Sequence, residues 1–309
     1  MGKTAFLFSG QGAQKPGMGQ DLAAASAAAQ EVFAMADSLR PGTTNMCAVG
    51  PAEELNQTRN TQPCLFCTDL AAACALRAAG IQADGVAGFS LGEIAALTFA
   101  GYLSPEDGFR LVCARAQCMD HAAQETPSAM VAVLRLDNQV IEDLCHQFDG
   151  VYPVNYNCPG QLVVAGKKEQ LPSFCQAAKQ AGGRTVELAV SGGFHSPMMQ
   201  SAAQALEEEL KHFSFVPGKI PLYSNVTAHP YGGNSPQELL TRQLVSPVLW
   251  QQTITNMIAD GFDTFIEVGV GKTLMNFVKK IDKTVSAYVV EDVVSYQETV
   301  AALQGGTSC

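Results

Sequence analysis

Ser90 stands in the pentapeptide Gly88-Phe89-Ser90-Leu91-Gly92, between an apolar run, Val86-Ala87, and a helix-like stretch at 93–100. A serine at a strand-to-helix turn, with glycine two positions before and after it, matches the nucleophile-elbow pattern. Glycine tolerates the tight backbone of such a turn, and the turn lifts the hydroxyl above the end of a sheet. The N–H of Leu91 opens the following helix, where it can donate to an oxyanion formed beside that hydroxyl. A serine hydroxyl is a weak nucleophile until a base takes its proton, and histidine is the usual base. Of five histidines, His121, His146 and His212 fall in charged or polar helical stretches, and His229 precedes a proline in a loop. His195 differs. It lies in Ser191-Gly192-Gly193-Phe194-His195-Ser196-Pro197, a loop at the end of a strand, where α/β sites assemble. Ser90 is therefore expected as nucleophile and His195 as its base, the alternative for His195 being a loop residue that caps a helix. Either an acid lying between the two in the chain or a backbone carbonyl orients the imidazole, and none of the intervening acids sits in a telling loop.

Arg115 lies on a largely apolar helix face, Phe109-Arg110-Leu111-Val112-Cys113-Ala114-Arg115-Ala116. Arginine is rarely buried without a partner. Two readings stay open: a salt bridge to an acid from the inserted segment at 127–191, or a bidentate clamp on a substrate carboxylate.

Strands and helices must position these groups. Ala5-Phe6-Leu7-Phe8 reads as a first buried strand, followed by helical patterns at about 19–38 and 62–80. A strand near 84–89, the elbow, and helices at about 91–100 and 105–124 come next. Strands alternating with helices of this length point to a parallel sheet covered on both faces. The pattern changes after Thr126-Pro127. A strand at 129–136, a helix at 138–148, strands at 152–157 and 161–165, a helix at 169–181 and a strand at 184–190 follow. That is β-α-β-β-α-β, the order of a ferredoxin-like unit. The parent pattern resumes with 196–212, a strand at 220–224, 235–244, 247–260, a strand at 264–268 and 273–283. The expected fold class is α/β: a hydrolase-like parallel-sheet domain, residues 1–126 and 192–309, carrying an inserted ferredoxin-like α+β subdomain at 127–191.

With 309 residues, 47% apolar and 16% charged, the chain can bury a large core and has no disordered composition. A net charge of −10 and the lack of a basic block argue against nucleic acid as a partner. The apolar part of the start, Ala5-Phe6-Leu7-Phe8, is too short for a signal peptide, and no run reaches the roughly 18 apolar residues of a membrane span. A cytoplasmic enzyme with no membrane partner is expected. The ten cysteines are scattered. Cys64-x-x-Cys67 is their one tight pair, with no second pair or nearby histidine to complete a zinc site, and it is expected as small core side chains at the start of a helix after Pro63. No metal and no cofactor is expected.

Two further motifs fail on spacing. Gly269-Val270-Gly271-Lys272-Thr273 ends like a phosphate-binding loop but has Ile266 where the first glycine belongs, and Gly10-Gln11-Gly12 is followed by Lys15 where a dinucleotide loop needs glycine. Asn225-Val226-Thr227 fits the glycosylation pattern, which a cytoplasmic chain does not use.

Together these motifs resemble the malonyl-CoA:acyl carrier protein transacylase family over nearly the whole chain. The resemblance rests on Phe8-Ser9-Gly10-Gln11-Gly12-Ala13-Gln14 with Gly17-Met18-Gly19, on the elbow through Glu93, and on Arg115. It extends through Asn155-Tyr156-Asn157-Cys158-Pro159-Gly160-Gln161, Phe194-His195-Ser196, Arg242-Gln243-Leu244 and Glu267-Val268-Gly269-Val270-Gly271-Lys272. The resemblance implies that Ser90 is acylated with His195 as base, and that the N–H groups of Gln11 and Leu91 form the oxyanion hole. It implies that Arg115 holds the malonate carboxylate, that the Gln243 carbonyl orients His195, and that Asn157 lines the site from the small domain. Phe194 resembles malonyl-selective members. A CoA thioester is then the substrate and the phosphopantetheine thiol of an acyl carrier protein the acceptor, in fatty acid or polyketide synthesis.

The chain departs from the family pattern at three positions. Phe89 replaces a usual histidine, which touches ester lifetime and selectivity, and Gly193 and Val270 replace common prolines, which is expected to loosen two loops. An acidic enzyme facing an acidic carrier needs a local basic patch, for which Lys279, Lys280 and Lys283 are candidates. The rival readings are an acyl hydrolase acting on carrier-bound thioesters and a non-catalytic docking relative.

Overall fold

The last four residues of β1 (Lys3–Phe8) are wholly buried, as a strand covered on both faces requires. Side chains alternate across it. Phe6 and Phe8 enter one core and Ala5 and Leu7 the opposite one. The computed structural model describes residues 2–190 and 192–305. Within it, β1 is the centre of a five-stranded parallel sheet with β2 (Gly85–Gly88), β7 (Leu222–Tyr223), β8 (Phe262–Val268) and β9 (Ser286–Val290), in the order β7-β2-β1-β8-β9. Helices Thr58–Ala78, Gly92–Phe99 and Pro105–Glu125 build the core around Phe6 and Phe8. Helices Trp250–Ala259 and Thr273–Ile281 pack on the other face around Leu7 and Phe265.

A second sheet is formed by β3 (Ser128–Leu134), β4 (Val151–Cys158), β5 (Gln161–Lys167) and β6 (Arg184–Glu187), antiparallel throughout, in the order β4-β5-β3-β6. Counted along the segment, that is 2-3-1-4, the ferredoxin-like arrangement expected from β-α-β-β-α-β. Its faces also divide by alternation. Val131, Val133, Leu162 and Val164 pack under helices Asn138–Cys145 and Leu171–Gln180, while Met130, Ala132, Val163 and Ala165 face the larger core. One segment joins the two bodies by backbone: Val248 N donates to Val154 O at 2.8 Å, and Tyr156 N donates to Val248 O at 2.9 Å.

Local chemistry moves several expected boundaries. The stretch at 19–38 is two helices, Gln20–Ala25 and Ala27–Leu39, because Ser26 is extended and its side chain accepts from Ala29 N as an N-cap. The helix expected to begin after Pro63 begins at Thr58, with Pro63 inside it. Cys64 and Cys67 are therefore core residues of its second and third turns, and both are fully buried. The nine described cysteines are free thiols. Cys309 lies outside the described residues, as does Ser191. At Gly269–Thr273 the phosphate reading fails for a second reason. The N-terminus of helix Thr273–Ile281 is filled by the chain's own carboxylate, Glu267 Oε1 accepting from Leu274 N at 3.1 Å and Oε2 from Met275 N at 2.8 Å.

Candidate active site

The elbow follows from two contacts that exclude side chains. A Cβ on Gly88 would lie 2.0 Å from the Gly92 carbonyl, and one on Gly92 would lie 2.4 Å from Phe8 O. Ser90 itself is held at φ 56°, a left-handed backbone that a non-glycine residue adopts only under tertiary constraint. Asn225 supplies that constraint: its Oδ1 accepts from Ser90 N at 2.8 Å and its Nδ2 donates to Gly88 O at 2.7 Å. The sequence showed Asn225 only as a glycosylation pattern, yet it is fully buried under the elbow.

His195, also at positive φ (61°), is 3% exposed. Its Nδ1 lies 2.8 Å from Gln243 O and its Nε2 lies 2.8 Å from Ser90 Oγ. A carbonyl can only accept, so Nδ1 carries the proton and Nε2 is left to accept from the hydroxyl. Of the two ways to orient the imidazole, the backbone carbonyl is the one present. Burial, and after it the nearby Arg115 cation, lowers His195 from 6.5 to about 4, so the ring is neutral near pH 7. The other four histidines are exposed.

Gly193, where loosening was expected, is tethered. Its N–H donates to Ser128 Oγ at 2.7 Å, a bond proline could not make, and its carbonyl accepts from Ser196 Oγ at 2.5 Å. Val270 is buried at 1% exposure.

Arg115 is buried at 1% exposure, and among the described residues it forms no ion pair. The salt-bridge reading is therefore set aside. Its Nη1 donates to Gln62 Oε1 at 2.8 Å, and its Nη2 donates to Gln243 Oε1 at 2.8 Å and to Ser90 Oγ at 3.0 Å. Burial lowers it to about 10, which leaves the guanidinium charged at neutral pH. The Ser90 oxygen thus accepts from Arg115 while it donates to His195.

Ser90, His195, Arg115, Gln11, Leu91 and Phe194 line one pocket, floored by Met119 and Met130. Asn157 does not line it. The alternation of β4 places Asn157 in an adjoining groove beside Asn155, Gln161 and Phe277, which shares Gln11, Phe89, Asn155 and Leu188 with the pocket. Phe89 walls both spaces and packs edge-on against Trp250 at 5.4 Å. Of the candidate lysines, Lys279 is partly buried and spent on Val285 O at 2.7 Å, while Lys280 and Lys283 are exposed. Gln62, Glu93 and Asn225 belong to the site and were given no role in it from the sequence. Glu93 alone carried a signal, as a charged residue in an otherwise apolar helix.

The family described as the acyl transferase domain matches residues 5–303. The chain is 38% identical to the malonyl CoA-acyl carrier protein transacylase of Bacillus subtilis (strain 168), over 94% of this chain and 94% of that protein. It is similar in structure to a malonyl CoA-acyl carrier protein transacylase from Clostridium perfringens, with a TM-score of 0.95, 38% identity and 98% of each chain covered. It is likewise similar to a malonyl-transacylase solved in complex with its type II PKS acyl-carrier protein, with a TM-score of 0.93 and 34% identity, covering 98% of this chain and 99% of that one. With the match spanning residues 5–303, the chain belongs to the acyl transferase domain family.

Proposed function

We propose that this enzyme transfers a malonyl group from malonyl-CoA to the phosphopantetheine thiol of an acyl carrier protein, through an ester on Ser90. One observation carries the reading. The Ser90 hydroxyl sits between a neutral base, His195 Nε2 at 2.8 Å, and an unpaired buried cation, Arg115 Nη2 at 3.0 Å. The base gives acyl transfer, and the cation selects an acyl group that ends in a carboxylate.

In the first half-reaction the hydroxyl proton passes to His195 Nε2 while Oγ attacks the thioester carbon. The C–S bond breaks, and CoA leaves as a thiol with the proton from His195. In the second half-reaction the carrier thiol gives its proton to Nε2, its sulfur attacks the ester carbon, and Ser90 Oγ leaves with that proton. The N–H groups of Gln11 and Leu91 donate to the oxyanion in both, each such donor contributing about 10²–10³ in rate. The Gln243 carbonyl stabilises the imidazolium that forms between them. Substrate carboxylate replaces Ser90 Oγ on Arg115, a charge-assisted bond of about 1.5–3 kcal/mol, so malonyl is favoured over acetyl by about tens to hundreds-fold. Phe194 walls the acyl end and Asn157 the thioester arm. No cofactor takes part, since the CoA thioester is itself the substrate. No helix among the described residues is long and apolar enough to cross a membrane, and we place the enzyme in the cytoplasm.

The test is intact mass after mixing with malonyl-CoA or acetyl-CoA, with Ser90→Ala as control, followed by addition of holo carrier protein. A malonyl adduct on the native chain alone, discharged by the carrier and barely formed from acetyl-CoA, is the expected result. Steady CoA release without an adduct marks a hydrolase, and neither adduct nor release marks a docking protein. Either outcome overturns the proposal.

A further inference from the structure

Glu93 sits in the first turn of helix Gly92–Phe99, three residues after Ser90, and is 0% exposed. Among the described residues no cation touches it. Its donors are neutral: Tyr231 O–H reaches Oε1 at 2.6 Å, while Gln243 Nε2 at 2.6 Å and Asn225 N at 3.1 Å reach Oε2. A buried carboxylate that lacks a charged partner is costly, and each of its donors must therefore be doing something the fold requires.

Gln243 shows what that is. Its Nε2 donates to Glu93 Oε2 and, at 3.0 Å, to Ser90 O, while its Oε1 accepts from Arg115 Nη2 at 2.8 Å. A side-chain amide can turn over and exchange its oxygen and nitrogen. Burial raises Glu93 to about 7, and above that pH the ionised carboxylate accepts only, so it holds the NH2 end of Gln243 toward itself and the oxygen toward Arg115. Turned the other way, the amide would aim N–H groups at a guanidinium that has only donors to offer. The backbone carbonyl of the same residue is the acceptor for His195 Nδ1.

We propose that Glu93 is the positioning residue for Arg115, a counter-charge set one amide away that orients Gln243 and leaves the guanidinium free for a substrate carboxylate. A carboxylate in direct contact would occupy the fork that malonate needs. At one remove it offsets the buried positive charge without competing for those N–H groups. Glu93 does not touch the acyl group, and the part of its effect that runs through its charge on Arg115 belongs to carboxylate-bearing substrates. The inference deepens the malonyl-transfer reading and rests on it.

Glu93→Gln keeps the shape and removes the charge. The expected result is a fall in malonyl-Ser90 formation by about tenfold or more with a much smaller fall for acetyl-CoA, so that the malonyl-to-acetyl ratio collapses. A merely structural defect lowers both by the same factor, and an equal fall, or an unchanged ratio, overturns the proposal. Tyr231→Phe supplies the second reading on a chain whose carboxylate is intact. The charged and titratable groups facing Glu93 are Arg115 and Tyr231, with Tyr102 behind Tyr231. Loss of the Tyr231 donor makes Glu93 easier to protonate. The pH at which the malonyl-to-acetyl ratio falls on acidification is expected to rise in Tyr231→Phe, and a ratio falling at the same pH as in the native chain overturns the proposal. A native chain that forms no malonyl adduct at all defeats the parent reading. A native adduct with a ratio that neither variant moves defeats this inference alone.

Discussion

One oxygen, Ser90 Oγ, serves both the His195 ring and the Arg115 guanidinium, and those two groups repel once the ring is protonated. Arg115 is the second cause, after burial, of the lowering of His195 to about 4. A carboxylate bound on Arg115 would cancel that repulsion, so under the proposed function a malonyl substrate is expected to strengthen the base that acts on it, and an acetyl substrate is not. The imidazole must be neutral to accept the Ser90 proton, so acylation is lost as pH falls through its pKa. Arg115→Ala removes a cation that lowers this pKa. The acid limb of the acetyl-CoA acylation profile is therefore expected to move to higher pH, while the malonyl-CoA rate drops by about tens to hundreds-fold. Rate–pH profiles of single-turnover CoA release check both, and an acid limb that stays in place contradicts the first. Ser90 and His195 were legible because each stands at a loop with its own backbone signature. Asn225 and Gln62 were not, since an amide that supports a site from below carries no local pattern.

At the scale of elements, the elbow is fixed by two glycines whose missing side chains are the sites of backbone contact. Gly88→Ala would push a methyl to 2.0 Å from the Gly92 backbone. Forced overpacking of that kind costs about 1–3 kcal/mol, and here it also turns Ser90 away from His195. Urea unfolding is expected to show the stability loss, and intact mass with malonyl-CoA the lost adduct. A stable, fully active variant would contradict the elbow geometry. The strands flanking this turn were readable as buried apolar runs, and the small sheet's alternation gave its topology. β9 and the last helix, Val293–Gly305, were not foreseen. β9 lies at the sheet edge and only its last two residues are buried, and the helix buries a single residue, Thr299, so neither shows a clear apolar period. Helices Thr43–Val49 and Ala52–Leu55 were missed because they are too short to show periodicity.

Across the whole molecule, stability and charge are linked through buried acids. Burial raises Glu93 and Glu267 from 4.5 to about 7, and it raises Asp69 as well. The folded chain holds protons that the unfolded chain has released, so this contribution is present below about pH 4.5 and lost as pH rises through about 7. His195 acts in the opposite sense: lowered from 6.5 to about 4, it contributes above 6.5 and loses that contribution as pH falls through 4. Between about pH 6.5 and 8 the buried carboxyls are the groups that change most, so the thermal midpoint is expected to fall over that range, and Glu267→Gln to flatten that slope. Equal slopes in both proteins would contradict the assignment to Glu267. The Val248 bridge has a mechanical consequence. The stretch from Gln243 to Val248 begins at the acceptor for His195 and ends between the backbone groups of Val154 and Tyr156. A shift of β4 therefore reaches the Gln243 carbonyl along one short run of backbone, which ties the orientation of His195 to the seating of the small sheet.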